Sequence, residues 1–147
     1  MTAGRLICAL TLPWPPSANK IWRNLVIRGT GRTVLSAQGR AYRDTVARIV
    51  MESTIARTLE GADLRVSVEA FPPDRRRRDL DNIAKALLDA LTHAGVWADD
   101  SQVCSLHLER RPPDGTVGRV RVVVEALLTQ AQEALPLTNP EAESLAF

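Results

Sequence analysis

A chain of 147 residues, 45% hydrophobic and 24% charged, holds enough apolar material for one core and too much for a disordered polymer. No apolar run approaches the ~20 residues of a membrane span, and the opening Met1-Thr2-Ala3-Gly4-Arg5 has no secretory apolar region. Cys8 and Cys104 make neither a metal-type spacing nor a disulfide framework, so a cytoplasmic protein with no membrane partner is expected.

The net charge of +2 hides a division. Residues 1–126 hold all 19 basic residues against 14 of the 17 acids, a balance of +5, whereas residues 127–147 carry only Glu133, Glu141 and Glu143. A basic body suits a polyanionic partner. Of the basic residues 17 are Arg, whose forked guanidinium suits phosphate, although codon usage in a GC-rich genome produces the same bias.

In chain order, Arg5–Leu12 alternates as a strand that Pro13-Trp14-Pro15-Pro16 stops, because proline has no N–H for a ladder. Ser17–Leu35 reads as a loop or irregular hairpin turning at Gly29-Thr30-Gly31. Ser36 is placed to cap a helix running to about Leu59, with Tyr42, Val46, Ile49, Val50 and Ala56 on its apolar stripe. Leu64–Phe71 alternates as a half-buried strand ending at Pro72-Pro73. A second helix spans about Leu80 to Ala94, closed by Gly95. Val103–Glu109 and Arg119–Ala126 read as two strands of one hairpin around Pro112-Pro113-Asp114-Gly115. The sum is an α/β (α+β) domain over 1–126, a mixed sheet with two packed helices, followed by an acidic, partly disordered tail over 127–147.

Chemistry concentrates in Asp74-Arg75-Arg76-Arg77-Arg78-Asp79-Leu80-Asp81-Asn82, then Lys85, Asp89 and Asp99-Asp100. At ~100° per residue, Asp81, Lys85 and Asp89 share a polar stripe opposite Ile83, Leu87 and Leu91. Asp100 meets Asp79 only if the chain folds back along a helix ~21 Å long, which pairing of the next strand with Leu64–Phe71 would favour. Converging carboxylates without Cys or spaced His make a hard-oxygen site, suited to Mg²⁺, or alternatively Mn²⁺, rather than Zn²⁺. Such an ion activates water and stabilises a phosphodiester leaving oxygen. Lys85 would stabilise the developing charge, and Arg75, Arg76, Arg77 and Arg78, with Lys20 and Arg23, would hold a DNA backbone. The plainer readings are a helix cap at Asp79 or Asp81, a surface Asp81–Lys85 pair, a turn at Asp99-Asp100 and a solvated arginine loop.

Pro13-Trp14-Pro15-Pro16-Ser17-Ala18-Asn19, Pro73 through Asn82, Lys85, Asp89-Ala90-Leu91 and Gly95 through Val103, in that order, resemble the RusA family of Holliday junction resolvases. The resemblance covers roughly residues 5–126. It implies a homodimeric nuclease of bacteria or prophages that cuts four-way junction DNA by paired, Mg²⁺-dependent nicks, commonly 5′ of CC. Residue by residue it makes Asp79, Asp81 and Asp100 the metal-binding catalytic carboxylates, with Asp99 a further candidate, and Lys85 the essential lysine. Two symmetric cuts also call for two sites, which a two-fold dimer supplies. The Ile21–Val34 loop and the tail fall outside what the resemblance matches.

No Gly-x-Ser-x-Gly elbow and no phosphate loop occurs, so neither a serine hydrolase nor a nucleotide cofactor is expected. His93 and His107 are assigned no catalytic part. Trp97 and Phe71 are read as core, Cys8 and Cys104 as buried, and Trp22 as the tryptophan for base stacking. Two alternatives use the same residues: a flap or fork nuclease, and a non-catalytic DNA-binding module.

Overall fold

The computed structural model describes residues 3–56 and 61–128. In chain order these form β1 (Gly4–Pro13), α1 (Ala18–Ile21), β2 (Trp22–Ile27), β3 (Thr30–Leu35), α2 (Ala37–Glu52), β4 (Asp63–Phe71), α3 (Leu80–His93), a 3-10 turn at Asp100–Gln102, β5 (Val103–Arg110) and β6 (Arg119–Leu127). The mixed sheet and two principal helices agree with the sequence reading, and α1 adds a third, four-residue helix. Of the acidic tail, 129–147 lie outside the described residues.

Four strands form one sheet in the order β1-β6-β4-β5. β6 is antiparallel to both β1 and β4, and β4 is parallel to β5. The expected β5–β6 hairpin is therefore not formed: β4 lies between the two strands. Composition explains the order. Val120, Val122, Val124 and Ala126 are all buried, as a central strand requires, whereas Cys104, Ser105, Leu106 and His107 of β5 are exposed on a sheet edge. Cys104 is thus exposed, contrary to the sequence reading, while Cys8 is buried and its thiol is pushed up to about 11 by desolvation.

One sheet face carries Leu64, Val66, Val68 and Ala70 with their β1 and β6 neighbours, and α2 and α3 cover it. α2 contributes Tyr42, Val46 and Val50; α3 contributes Ile83, Leu87 and Leu91. Burying one such leucine or valine contributes about 1.5–3 kcal/mol. Trp97 joins this core as expected, its indole Nε1 donating to Thr92 Oγ1 at 2.7 Å. Phe71 does not: the alternation of β4 turns it to the opposite face, where the Arg119 guanidinium lies 4.4 Å from its ring centroid.

Helix ends follow local chemistry. Gly95 takes φ 81 after α3, the left-handed conformation that helix closure favours. α2 stops at Glu52, short of the expected Leu59: Ser53 Oγ donates to the Ile49 carbonyl, and Ala56 N–H donates to the Ile7 carbonyl of β1. At the other end of α2, buried Ser36 Oγ accepts the Gly39 N–H at 3.1 Å and donates to the Lys20 carbonyl. Ser36→Ala removes the cap and strands that carbonyl, so thermal unfolding should show a loss of about 1–2 kcal/mol.

Candidate active site and nucleic-acid interface

A parallel β4–α3–β5 crossover sets where the acids fall. Leu64 pairs with Val103 at the end where β4 begins, and Phe71 leads out of the opposite end into the arginine loop and α3. Asp79 and Asp81 therefore stand at the end where β4 leaves, and Asp99 and Asp100 at the end where it enters. A 14-residue α3, about 21 Å long, lies between them. β5 does return beside β4, but its parallel direction brings Asp100 to the far end. Among the described residues, no three His, Cys, Asp or Glu side chains are placed to hold one ion.

Asp79 is the residue before α3 in extended conformation (φ −89, ψ 132), yet its carboxylate caps nothing. Asp81, in the first turn, accepts only the Asn82 N–H, at 3.0 Å. Both are exposed, neither is ion-paired among the described residues, and the plain Asp81–Lys85 surface pair is not formed. Lys85 instead projects over the Trp22 ring, its Nζ 5.9 Å from the centroid, with Arg43 6.0 Å from the same ring. Two exposed, uncommitted carboxylates thus stand at the N-terminus of α3, where the helix dipole favours negative charge, and exposed Lys85 lies one helical turn beyond Asp81. Hard oxygens without sulfur or imidazole fit a Mg²⁺-like ion, whose coordination water and substrate oxygens commonly complete.

The second acidic pair divides its labour. Asp99 accepts the Ser101 N–H at 2.8 Å, which holds its carboxyl below the usual range, while Gln102 Oε1 accepts the Asp99 N–H at 3.3 Å. Gln102 also donates to the Ala62 carbonyl at 3.2 Å, tying the turn to the start of β4. Asp99 is a cap. Asp100 is exposed, and its side chain adds the smallest of the hydrogen-bonding contributions that lower the Asp99 carboxyl.

The four arginines also differ. Asp74 Oδ1 accepts the Arg76 N–H at 2.9 Å and Arg78 Nη1 at 2.6 Å, and the Arg78 guanidinium lies 5.6 Å from the Trp14 centroid. Arg78 is consumed in pinning the loop, so Arg75, Arg76 and Arg77 face solvent. The hydrogen bond and ion pair from Arg78, helped by the Arg76 amide, lower the Asp74 carboxyl to about 2 from 3.8. A folded value below the unfolded one stabilises the loop fully above about 4 and loses that contribution as pH falls through about 2. Titration of Asp74 by carboxyl NMR should give a midpoint near 2, rising toward 3.8 in Arg78→Gln.

A groove of about 710 Å³ runs beside this loop and is lined by Arg75, Arg76, Arg77, Arg110 and Arg111. Sequence reasoning missed the last two. Their signal was the Arg110-Arg111-Pro112-Pro113 run at the end of β5, and parallel pairing sets it beside the end of β4 that leads into the Arg75–Arg78 run: Ala70 pairs with Arg110, and Arg111 N–H donates to the Ala70 carbonyl at 2.8 Å. A second cavity of about 510 Å³ lies against Asp79 and includes Trp14, Lys20, Gln38, Arg77 and Asn82. Lys20 thus faces the Asp79 end of the molecule. Arg23 is exposed on β2, one residue beyond Trp22.

The family described as "Endodeoxyribonuclease RusA" matches residues 13–125 of the chain. Among curated relatives, the Crossover junction endodeoxyribonuclease RusA of Escherichia coli (strain K12) is 47% identical over 104 residues, 71% of this chain and 82% of the relative. Its namesake in Enterobacteria phage 82 is 48% identical over 103 residues, 70% of this chain and 82% of the relative. That of Shigella sonnei (strain Ss046) is 46% identical over 104 residues, with coverage of 71% and 82%. The matched span includes the proline-rich end of β1, the arginine loop, α3 and the Asp99-Asp100 turn.

Proposed function

Since the chain belongs to the RusA family of endodeoxyribonucleases, we propose that it is a crossover junction endodeoxyribonuclease that resolves Holliday junctions with a divalent metal, Mg²⁺ foremost. The observation that carries the residue-level reading is that Asp79 and Asp81 are exposed and uncommitted at the start of α3, one helical turn from Lys85 and adjoining the arginine groove through Arg77. Its DNA substrate makes the bacterial cytoplasm its place of work, and relatives occur in bacteria and in a phage. Among the described residues no helix is long and apolar enough to cross a membrane.

In this reading Asp79 and Asp81 hold the cation. When bound, it acts as a Lewis acid on the scissile phosphate and lowers the pKa of an attacking water. Lys85, one helical turn from Asp81, contributes positive charge where the phosphate accumulates negative charge. Arg75, Arg76, Arg77 and Arg110 fix the backbone so that the phosphate meets the carboxylates in line, while Arg111, held to Glu69 at 3.0 Å, shapes the groove.

Asp100, in one chain, stands a helix length away. A homodimer resolves this if the Asp100 end of one subunit meets the Asp79 end of its partner, which builds two equivalent three-carboxylate sites about a two-fold axis. Two sites also match the two nicks that symmetric resolution requires. The decisive assay compares a labelled four-way junction with linear duplex of the same sequence, with Mg²⁺ or with EDTA. Paired nicks in the junction alone, lost with EDTA, support the reading; binding without cutting under Mg²⁺ or Mn²⁺ leaves a DNA-binding module.

Binding should weaken steeply with salt, because each phosphate-bound arginine releases counterions. Arg75→Ala and Arg77→Ala should each lower the slope of log K against log salt by about 1. Arg78→Ala should change that slope less, since Asp74 and Trp14 already engage its guanidinium.

A further inference from the structure

β2 and β3 pair only with each other, as a separate two-stranded ribbon apart from the main sheet. Its base is held by the Ser36 cap and by the stack of Arg43, Lys85 and Trp22. Exposure rises outward from there: Trp22, Val34 and Leu35 are half-buried, whereas Val26 through Thr33 are all exposed. The turn is Arg28-Gly29, with φ of 51 and 77, a residue earlier than the expected Gly29-Thr30-Gly31. Both left-handed positions belong to the tight turn that two-residue hairpins favour, where asparagine is the usual first residue. Here an arginine occupies it.

Two features of this arm have no structural use. Val26 and Ile27, the last residues before the turn, are 79% and 45% exposed on opposite faces of the ribbon. Around them stand Arg23, Arg28 and Arg32; residues 22–35 contain no acid, and among the described residues none of the three arginines forms an ion pair. An apolar tip with cationic sides is complementary to exposed base faces edged by phosphates. A two-stranded ribbon also matches the about 12 Å width of a DNA major groove. From Trp22, beside Lys85, five residue steps carry the tip about 17 Å outward, roughly five base-pair rises from the reacting phosphate.

We infer that the β2–β3 ribbon enters the branch point of four-way junction DNA, with Val26 and Ile27 packing against unstacked bases and Arg23, Arg28 and Arg32 on the flanking phosphates. This rests on the junction-nuclease reading and adds to it the element that opens the branch point for cutting. Apolar wedges of this kind separate base steps at a cost that protein contacts offset.

The test uses the full chain and an immobile junction carrying 2-aminopurine at the branch point, bound without divalent metal, followed by cutting of the same junction in Mg²⁺. Wild type should raise the fluorescence, and Val26→Leu with Ile27→Leu should preserve that rise. Val26→Ser with Ile27→Ser should remove most of it and slow junction cutting about tenfold, with thermal unfolding and duplex affinity unchanged. An unchanged signal and rate in the serine pair, or no signal in wild type that nevertheless cuts, overturns the inference alone. Dissociation of the serine pair into monomers makes the tip a subunit contact and also overturns it. Failure of wild type to cut any junction overturns the nuclease reading itself, and this arm requires no ribbon variant.

Discussion

Asp81→Asn should lower the single-turnover rate of junction cutting by on the order of 10³-fold, equivalent to about 4 kcal/mol of transition-state stabilisation, while junction affinity stays equal or rises. The opposite signs follow from the site. The carboxylate is exposed and bonded only to its neighbour's amide, so its removal breaks no fold contact. Asparagine keeps the volume and loses the charge that draws a cation. The same loss relieves repulsion with a phosphate that Lys85 and the neighbouring arginines attract. Gel-shift affinity and rate on one junction separate the two effects. A rate within tenfold of wild type would make Asp81 an ordinary first-turn acid, favourable to the helix dipole and nothing more.

Much of this end of the molecule was legible because local pattern and tertiary context agree there. The α3 stripe of Ile83, Leu87 and Leu91 is buried, Gly95 closes the helix, and Asp81 and Lys85 face outward as the helical period requires. The alternation of β4 likewise fixed which residues reach the core. Sequence order then misled at β5 and β6. Adjacent strands around a proline-containing loop read as a hairpin, but the near-continuous apolar run in β6 needs burial from two neighbours, and β5 has an edge strand's polar content.

The same topology decides what the site reading lacked. Spacing places Asp79, Asp81 and Lys85 near one another because they lie at the residue before α3 and in its first two turns. It carries no information about whether β5 pairs parallel or antiparallel, and the direction of that strand separates Asp100 from them. Arg110 and Arg111 were overlooked for a related reason: only the Ala70–Arg110 pairing sets them beside Arg75–Arg77. The ribbon is where local signals were weakest. Its exposed Val26 and Ile27 follow no burial pattern, since the main sheet does not include them.

A purified heterodimer of Asp81→Asn and Asp100→Asn subunits should regain nicking that neither homodimer shows. If each site takes Asp79 and Asp81 from one subunit and Asp100 from the other, the heterodimer has one site with both substitutions and one with neither. The intact site should nick one strand at close to the wild-type rate per site, and the product should be a singly nicked junction rather than two resolved duplexes. Were all three carboxylates drawn from one subunit, each heterodimer site would carry one substitution, and both would stay inactive. Should Asp100→Asn alone cut normally, Asp100 is no ligand, and two carboxylates with substrate oxygens and water suffice, as they do for many Mg²⁺ sites. Each result follows from one structural fact: α3 and the parallel β4–β5 pair hold the two acidic ends a helix length apart in a single chain.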